Sequence, residues 1–548
     1  MIPTNPLPLF CVALLLAVPA VWLAGRALAA SVLEDLLAVR IVGPGLAAAF
    51  WLLLVHTCAT VVGSFVVGLV LGTLLAALLG LGGWARARST LSPQSSVAPI
   101  LLSRWVLLAC AVATALVVPA SVNWAFHDEL YLTGHMSIPA QMQNDFYPPV
   151  NMTFPGVDLR YHYGFDLLVA VVTALTRLRL DRAIDFLTIV GWGYSWMLLW
   201  LLGARTGMGK LALLVPALAL LGGGIASFCS NPDDSLTMRM LSLCMVDGVP
   251  INAPVASYAF QHPFSLGIPL ALCLVHLSIG TESRGVRWFV VVSIAAVALS
   301  LCQVVLFVSL VPTIAITQIV SGHRAWRQRA VVAGVLLLAV PFLALASGGF
   351  FSSGVLHMQS SIDLAPGITG SATGDLRWLL QTYGMLLPLG LVGLAFRDRH
   401  RLLWGVLGLG SIAVVVALKY RYSWDIAKFG ALGAIALGVL AARPLEALLR
   451  KGRSWHRYLA SALLCATTAP GIAFLVTFLL DRDGIPEEIF PSAAPIPAED
   501  HARAISWLRK NMARGELVYV PPSLSSYYAV WGGLPQVWID GMVERFGF

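Results

Sequence analysis

Charged side chains are scarce in this sequence. Asp, Glu, Lys and Arg together make 11% of its 548 residues, against 58% hydrophobic ones. A water-soluble fold of this length exposes far more charge, so the apolar side chains need a bilayer as solvent. Other signatures are missing altogether. There is no GxxxxGK[ST] phosphate loop, no GxGxxG after a strand and no GxSxG. Their absence argues against an ATP-driven pump and an α/β-hydrolase. No CxxC or zinc spacing appears among the 8 cysteines, most of which lie inside apolar runs. Cys229 and Cys244 flank a polar loop, where an oxidising compartment would let them pair. The sequence has no internal repeat, no low-complexity tract, no long basic run and no alternation of aromatic with basic residues. The net charge of +8 therefore does not point to nucleic acid. The N-terminal apolar run lacks a positive leading segment, because Arg26 follows it. That predicts an uncleaved first span with its N-terminus outside.

What the sequence does have is a succession of apolar runs. A window of about 19 residues predicts spans near 8–25, 42–60, 62–83, 99–119, 161–177, 184–203, 210–228, 263–280, 287–302, 303–320, 329–347, 379–395, 402–418, 426–441 and 457–480. Regions 120–160, 229–262 and 348–378 are not membrane-like. Within the tail after Asp481, "PAEDHARAISWLRKNM" has an apolar face of Ala502, Ile505, Trp507 and Leu508, and "ELVYVPPS" reads as a strand and turn.

Basic residues orient the runs, since cytoplasmic loops collect Lys and Arg. Arg86 and Arg88 are expected inside, so the loop after 99–119 lies outside. "GHRAWRQR", "RDRHR" and "RPLEALLRKGRSWHR" are expected inside, which puts "KYRYSWD" (419–425) and the polar tail outside. The two anchors disagree. An even number of crossings must separate the loop at 160 from the tail at 481, and 11 runs lie between them. Either 161–177 is not a full crossing, or 230–262 hides one.

Three stretches carry chemistry. In "VNWAFHDELYLTGHMSIPA", Asp128 and Glu129 stand just beyond a span, where aromatics anchor the interface. A carboxylate partly screened from water there suits a general base, and an ordinary solvated acidic loop would look the same. In "DLRYHYGFDLLVAVV", Arg160, His162 and Asp166 open the next run, either lining a cavity or serving as cap and belt residues. In "ALKYRYSWDIAKFGALGA", Lys419, Arg421 and Lys428 surround Tyr420, Tyr422, Trp424 and Asp425. Cations on the outer side oppose the positive-inside trend. They suit a phosphate at headgroup level, or anchors that snorkel. His262 precedes Pro263 at the start of a further run, facing the same cavity or merely marking a helix boundary. A divalent cation is the one cofactor to consider. His127, Glu129, His162 and His262 are suitable types but show no ligand spacing such as HxxxH, so no metal is assigned.

The Asp-Glu pair after a span, the "YHYGFDLL" entry, the "WDIAKF" segment and the "ARAISWLRKN…ELVYVPP" tail together resemble the GT-C superfamily of integral membrane glycosyltransferases. The likeness is to poorly characterised bacterial branches, more than to protein O-mannosyltransferases or aminoarabinose transferases. It implies an all-α polytopic bundle with outer-face loops and a small polar tail. Residues 1–98 would be accessory spans, 99–480 the catalytic core and 481–548 a small outer segment. The accessory spans depart from the family, whose acidic loop usually follows the first helix.

The resemblance also implies a reaction. A sugar passes from a polyprenyl-phosphate donor to a hydroxyl of a glycan, lipid or protein acceptor, with inversion, on the outer face of a bacterial cell membrane. Asp128 would be the general base with Glu129 beside it, and Lys419, Arg421 and Lys428 would hold phosphate. Arg160, His162, Tyr422 and His262 would line the substrate cavity. The competing expectations are a transporter or flippase for a lipid-linked sugar and a non-catalytic subunit of a membrane complex.

Overall fold

The computed structural model describes residues 7–33, 35–90, 104–122, 135–150, 159, 162–224, 245–246, 249–250, 254–260, 262–279, 286–320, 362–364, 371–396, 398, 400–420, 423–480, 499–512, 516–519, 528 and 532–534. It is a bundle of helices. In chain order they are α1 (Leu7–Ala30), α2 (Leu36–Val62), α3 (Phe65–Thr90), α4 (Arg104–Ser121), α5 (Ser137–Gln143), α6 (Gly164–Thr176), α7 (Leu180–Arg205), α8 (Leu214–Leu221), α9 (Pro254–Phe260), α10 (Phe264–Ile279), α11 (Val286–Cys302), α12 (Val304–Val320), α13 (Ala372–Tyr383), α14 (Leu386–Ala395), α15 (Arg401–Ala417), α16 (Ser423–Arg450), α17 (Ser454–Leu480) and α18 (Glu499–Asn511). Two short antiparallel ribbons complete the described part. One pairs β1 (Met245–Val246) with β2 (Val249–Pro250), the other β3 (Ile362–Leu364) with β4 (Leu418–Tyr420). Among the described residues, 6 helices are long and apolar enough to cross a membrane, or 7 with one bent pair counted as a span. The chain is an integral membrane protein.

Close packing rests on small residues, as it must where lipid is as apolar as Leu. α1, α2 and α3 form a tight sheaf because glycine lets their backbones touch. A Cβ on Gly68 would stand 2.3 Å from the Ala59 Cα. Tyr194 of α7 then ties α2 to the rest, donating to the Ile41 carbonyl at 2.7 Å and accepting from the Gly45 amide at 2.9 Å.

Polar contacts sort the helix ends into two faces. On one, Asp145 accepts from Ser64 and Val66 at the α2–α3 turn, and Asn144 bonds Arg509 and Gly532 of the tail. The turn at 63–66, the loop at 135–150 and the tail thus share a face, the arrangement expected from the alternation of spans. On the other face, Arg443 of α16 bonds Asp398 at 2.6 and 2.8 Å, Glu446 at 2.7 Å and the Thr206 carbonyl at 2.8 Å. Arg450 donates to the Gly207 carbonyl there at 3.0 Å. We call these the loop face and the basic face.

This sorting bears on the odd count. α7 has 26 residues, about 39 Å at 1.5 Å each. It ends on the basic face at Arg205, so it begins on the loop face at Leu180. α6 begins on the loop face too, beside His162, and its 13 residues reach only about 20 Å against a hydrocarbon core of about 30 Å. α6 therefore enters and leaves on one side. The 161–177 run is not a crossing, which removes one run from the odd 11; residues 225–244 and 321–361 lie outside the described residues. The turn after α6 carries Arg177 and Arg179 on the loop face, and Arg182 follows in the first turn of α7. Asp181, fully buried, takes a two-pronged bond from Arg179 at 2.6 Å, and Asp185 pairs with Arg182 at 3.1 Å. A second expected run, 379–395, is not straight: Thr373–Tyr383 and Leu386–Ala395 meet at 86°.

Candidate functional site

Several helix ends converge on the loop face. α6 starts there, as do α10 and α16, and α11 ends there. Gly164 makes the approach of α6 to α11 feasible, because a Cβ on it would lie 2.9 Å from Cys302 Sγ and the Leu301 carbonyl. Two residues on, Asp166 sits in the first turn of α6, where the helix dipole favours a carboxylate. Its Oδ1 meets His135 Nδ1 at 2.8 Å, and both side chains are buried, at 0% and 2% exposure. Asp166 Oδ2 is buried with no hydrogen-bond partner among the described residues. The His135 ring stands edge-on to Phe165 with centroids 6.3 Å apart.

His162 lies just before α6. It lies within electrostatic range of Lys428 of α16 and of His135. Lys428 is buried near the start of α16. Next to this group, Gln303 breaks the chain between α11 and α12. It is fully buried, and neither its amide oxygen nor its amide nitrogen has a partner among the described residues. Its Cβ would lie 2.8 Å from a Cβ on Gly267 of α10. Ser265 Oγ, also buried, is likewise without a partner among them. A buried ammonium, two imidazoles, one carboxylate and uncommitted amide and hydroxyl groups suit an anion that also carries hydrogen-bonding oxygens.

The tail closes this region. Ile505, Val518, Tyr528 and Leu534 share an apolar cluster with Met136, Ala140, Phe165 and Ile184. Arg509 donates from Nε to the Asn144 side-chain oxygen, and Asn144 Nδ2 donates to the Gly532 carbonyl at 2.7 Å. Beneath it, Gln141 grips the Val150 backbone in both directions, at 2.9 and 3.0 Å.

Of the residues expected from sequence, His162 and Lys428 are both buried and lie within electrostatic range of each other. His262 is buried and its Nδ1 lies 3.0 Å from Thr188 Oγ1 of α7. Lys419 is described through its backbone: the β3–β4 register sets it opposite Asp363. Asp128, Glu129, Arg160, Arg421 and Tyr422, with His127, Cys229 and Cys244, lie outside the described residues. His135 and Gln303 were not singled out by sequence reasoning. Gln303 had a visible signal, a lone amide between two apolar runs. His135 lay within the acidic-loop stretch, overshadowed by its neighbours. Among the described residues no cluster of three or more His, Cys, Asp or Glu could hold a metal.

No family model matches the chain, and no curated protein does. Among solved structures the chain is similar to the crystal structure of the Archaeoglobus fulgidus oligosaccharyltransferase in the apo form, with 10% identity and a TM-score of 0.38 over 80% of this chain and 65% of that one. The likeness concerns the course of the chain and assigns no role to its residues.

Proposed function

We propose that the protein is a membrane glycosyltransferase. It moves a sugar from a polyprenyl-phosphate donor to an acceptor hydroxyl at the loop face, which positive-inside bias makes the outer one. One observation carries the reading: Lys428, late in the chain, is buried within electrostatic range of His162, as is His135 of the His135–Asp166 pair. An ammonium with imidazoles about it makes a positive, hydrogen-bonding environment that suits a phosphate. A lipid-linked phosphate at the headgroup boundary is an anion whose tail can stay in the bilayer.

In this reading Asp128, with Glu129 beside it, takes the proton from the acceptor hydroxyl. The acceptor oxygen attacks the anomeric carbon. The bond from that carbon to the phosphate oxygen breaks, and the lipid phosphate leaves with the electron pair. A single displacement inverts the anomeric centre. Lys428 and His162, joined by Lys419, Arg421 and Arg160, stabilise the departing phosphate, while Tyr422 and His262 line the cavity. Charge stabilisation of this kind is often the largest catalytic contribution. Residues 1–98 serve as an accessory sheaf and 481–548 as an outer cover.

A carrier of lipid-linked sugar is the competing reading, favoured by the 86° break in the α13–α14 pair, since carriers use broken helices. Asp128→Asn separates the two. A transferase loses about 10²-fold or more in turnover and keeps donor binding. Unchanged activity in that variant refutes the transferase assignment.

A further inference from the structure

Helix α13 is polar on its buried side. Leu376, Arg377 and Leu380 are exposed, whereas Trp378, Gln381 and Thr382 are only 1%, 9% and 4% exposed. Positions 378, 381 and 382 stand at i, i+3 and i+4 and so share one helix face. The Trp378 indole N–H, the Gln381 amide oxygen and the Thr382 hydroxyl have no hydrogen-bond partner among the described residues. Buried polar atoms are normally paired. Three without partners among the described residues, on one face, make that face a candidate for binding something polar.

The helix stops just past them. Gly384 has a φ of +49°, a conformation side chains disfavour, and α14 departs at 86°. Broken helices persist at membrane depth where they line a cavity, and polar substrates bind at such breaks. This break lies close to the start of α16. Tyr383 donates from its hydroxyl to the Gly430 carbonyl at 3.3 Å, two residues on from Lys428.

We propose that the buried face of the α13–α14 break is the sugar subsite, where Trp378, Gln381 and Thr382 hydrogen-bond the hydroxyls of a neutral sugar. The proposal rests on the glycosyl-transfer reading, which supplies a donor phosphate at Lys428. The groups match the ligand: an N–H that only donates, an amide oxygen that accepts and a hydroxyl that does both. None of the three carries a charge, which suits a neutral hexose or N-acetylhexosamine over a uronic acid or a sugar with a free amine.

The test is lipid binding by the full chain in nanodiscs. The probes are undecaprenyl phosphate and the same lipid bearing glucose, mannose or N-acetylglucosamine. The wild type should bind at least one sugar-bearing lipid more tightly than the bare phosphate. Gln381→Leu with Thr382→Val should weaken that lipid tenfold or more and leave bare phosphate unchanged. Trp378→Phe should act the same way. Lys428→Met should weaken both ligands. Equal effects of the break variants on both ligands, or no preference for any sugar in the wild type, overturn the subsite while leaving the phosphate site standing. A wild type that binds neither ligand refutes the glycosyl-transfer reading and the subsite with it. The apolar variants should melt no lower than the wild type. A lower melting temperature would mean that these atoms serve the fold, and would also overturn the proposal.

Discussion

Asp145 accepts hydrogen bonds from the Ser64 hydroxyl at 2.8 and 2.9 Å through its two carboxylate oxygens, and from the Val66 amide at 2.9 Å. That one carboxylate ties the loop after α4 to the turn between α2 and α3 and caps the start of α3. Asp145→Ala removes the cap and should cost about 1–2 kcal/mol. A falling melting temperature, with Asp145→Asn intermediate, is the expected result in detergent or nanodiscs.

The two-face arrangement has a sharp consequence for labelling. In a cysteine-free background, single cysteines at Asp145, Arg177 and Lys510 should react with an impermeant maleimide from one side of sealed vesicles. A cysteine at Lys451 should react only from the other. Were α6 a crossing, position 177 would label with 451, so this position decides the count.

At the loop face, two substitutions should move anion binding in opposite directions. Lys428→Met removes the buried cation and should weaken undecaprenyl phosphate at least tenfold, about 1.4 kcal/mol or more. Asp166→Asn removes a negative charge from the same group and should bind that lipid at least as tightly as the wild type. Asp166→Val also deprives His135 of its 2.8 Å bond. It should lose about 1–3 kcal/mol of stability, since a buried group stripped of its partner bears the desolvation cost.

Arg443 is the hub of the basic face, joining α16 to Asp398, Glu446 and the Thr206 carbonyl. Arg443→Met would leave a half-buried Asp398 and a buried Glu446 without that guanidinium. A loss on the order of 3–5 kcal/mol is expected for breaking such a pair from one side. Arg443→Lys should fall between, because an ammonium cannot fork to two carboxylates and a carbonyl in one plane. Thermal unfolding of the three proteins ranks them.

Tail docking can be read by protease. Arg509→Ala removes the bond to Asn144 and should expose the segment after α18 to limited proteolysis well below the global melting temperature. Equal cleavage rates in wild type and variant would show that the apolar contacts of Ile505 and Leu534 suffice.

Much of the fold was legible beforehand. The apolar runs at 42–60, 184–203 and 457–480 became α2, α7 and α17. The basic clusters at 397–401 and 443–457 fell on one face, and the loop at 135–150 fell on the tail's face. The run at 161–177 is apolar enough to cross, but α6 is too short for it; the run at 379–395 is a pair of helices bent at Gly384, where a window shows one stretch. Apolarity reports whether a segment tolerates lipid, not the direction in which it runs. Of the candidate site, His162 and Lys428 were named from sequence because cations and imidazoles are conspicuous beside apolar runs. His135, Gln303 and the buried face of α13 were not, because their meaning lies in what surrounds them.

The sequence by itself determined the solvent, the run of spans and the faces on which charge collects. Transfer free energies are local and add along the chain, so each segment declares its preference without reference to the others. Only the tertiary structure decided that α6 stays on one side, that Arg509 reaches Asn144 and that His135 meets Asp166. Those outcomes depend on glycines such as Gly68 and Gly164 letting particular backbones touch. Such contacts join residues remote in the chain and leave no periodic trace in it.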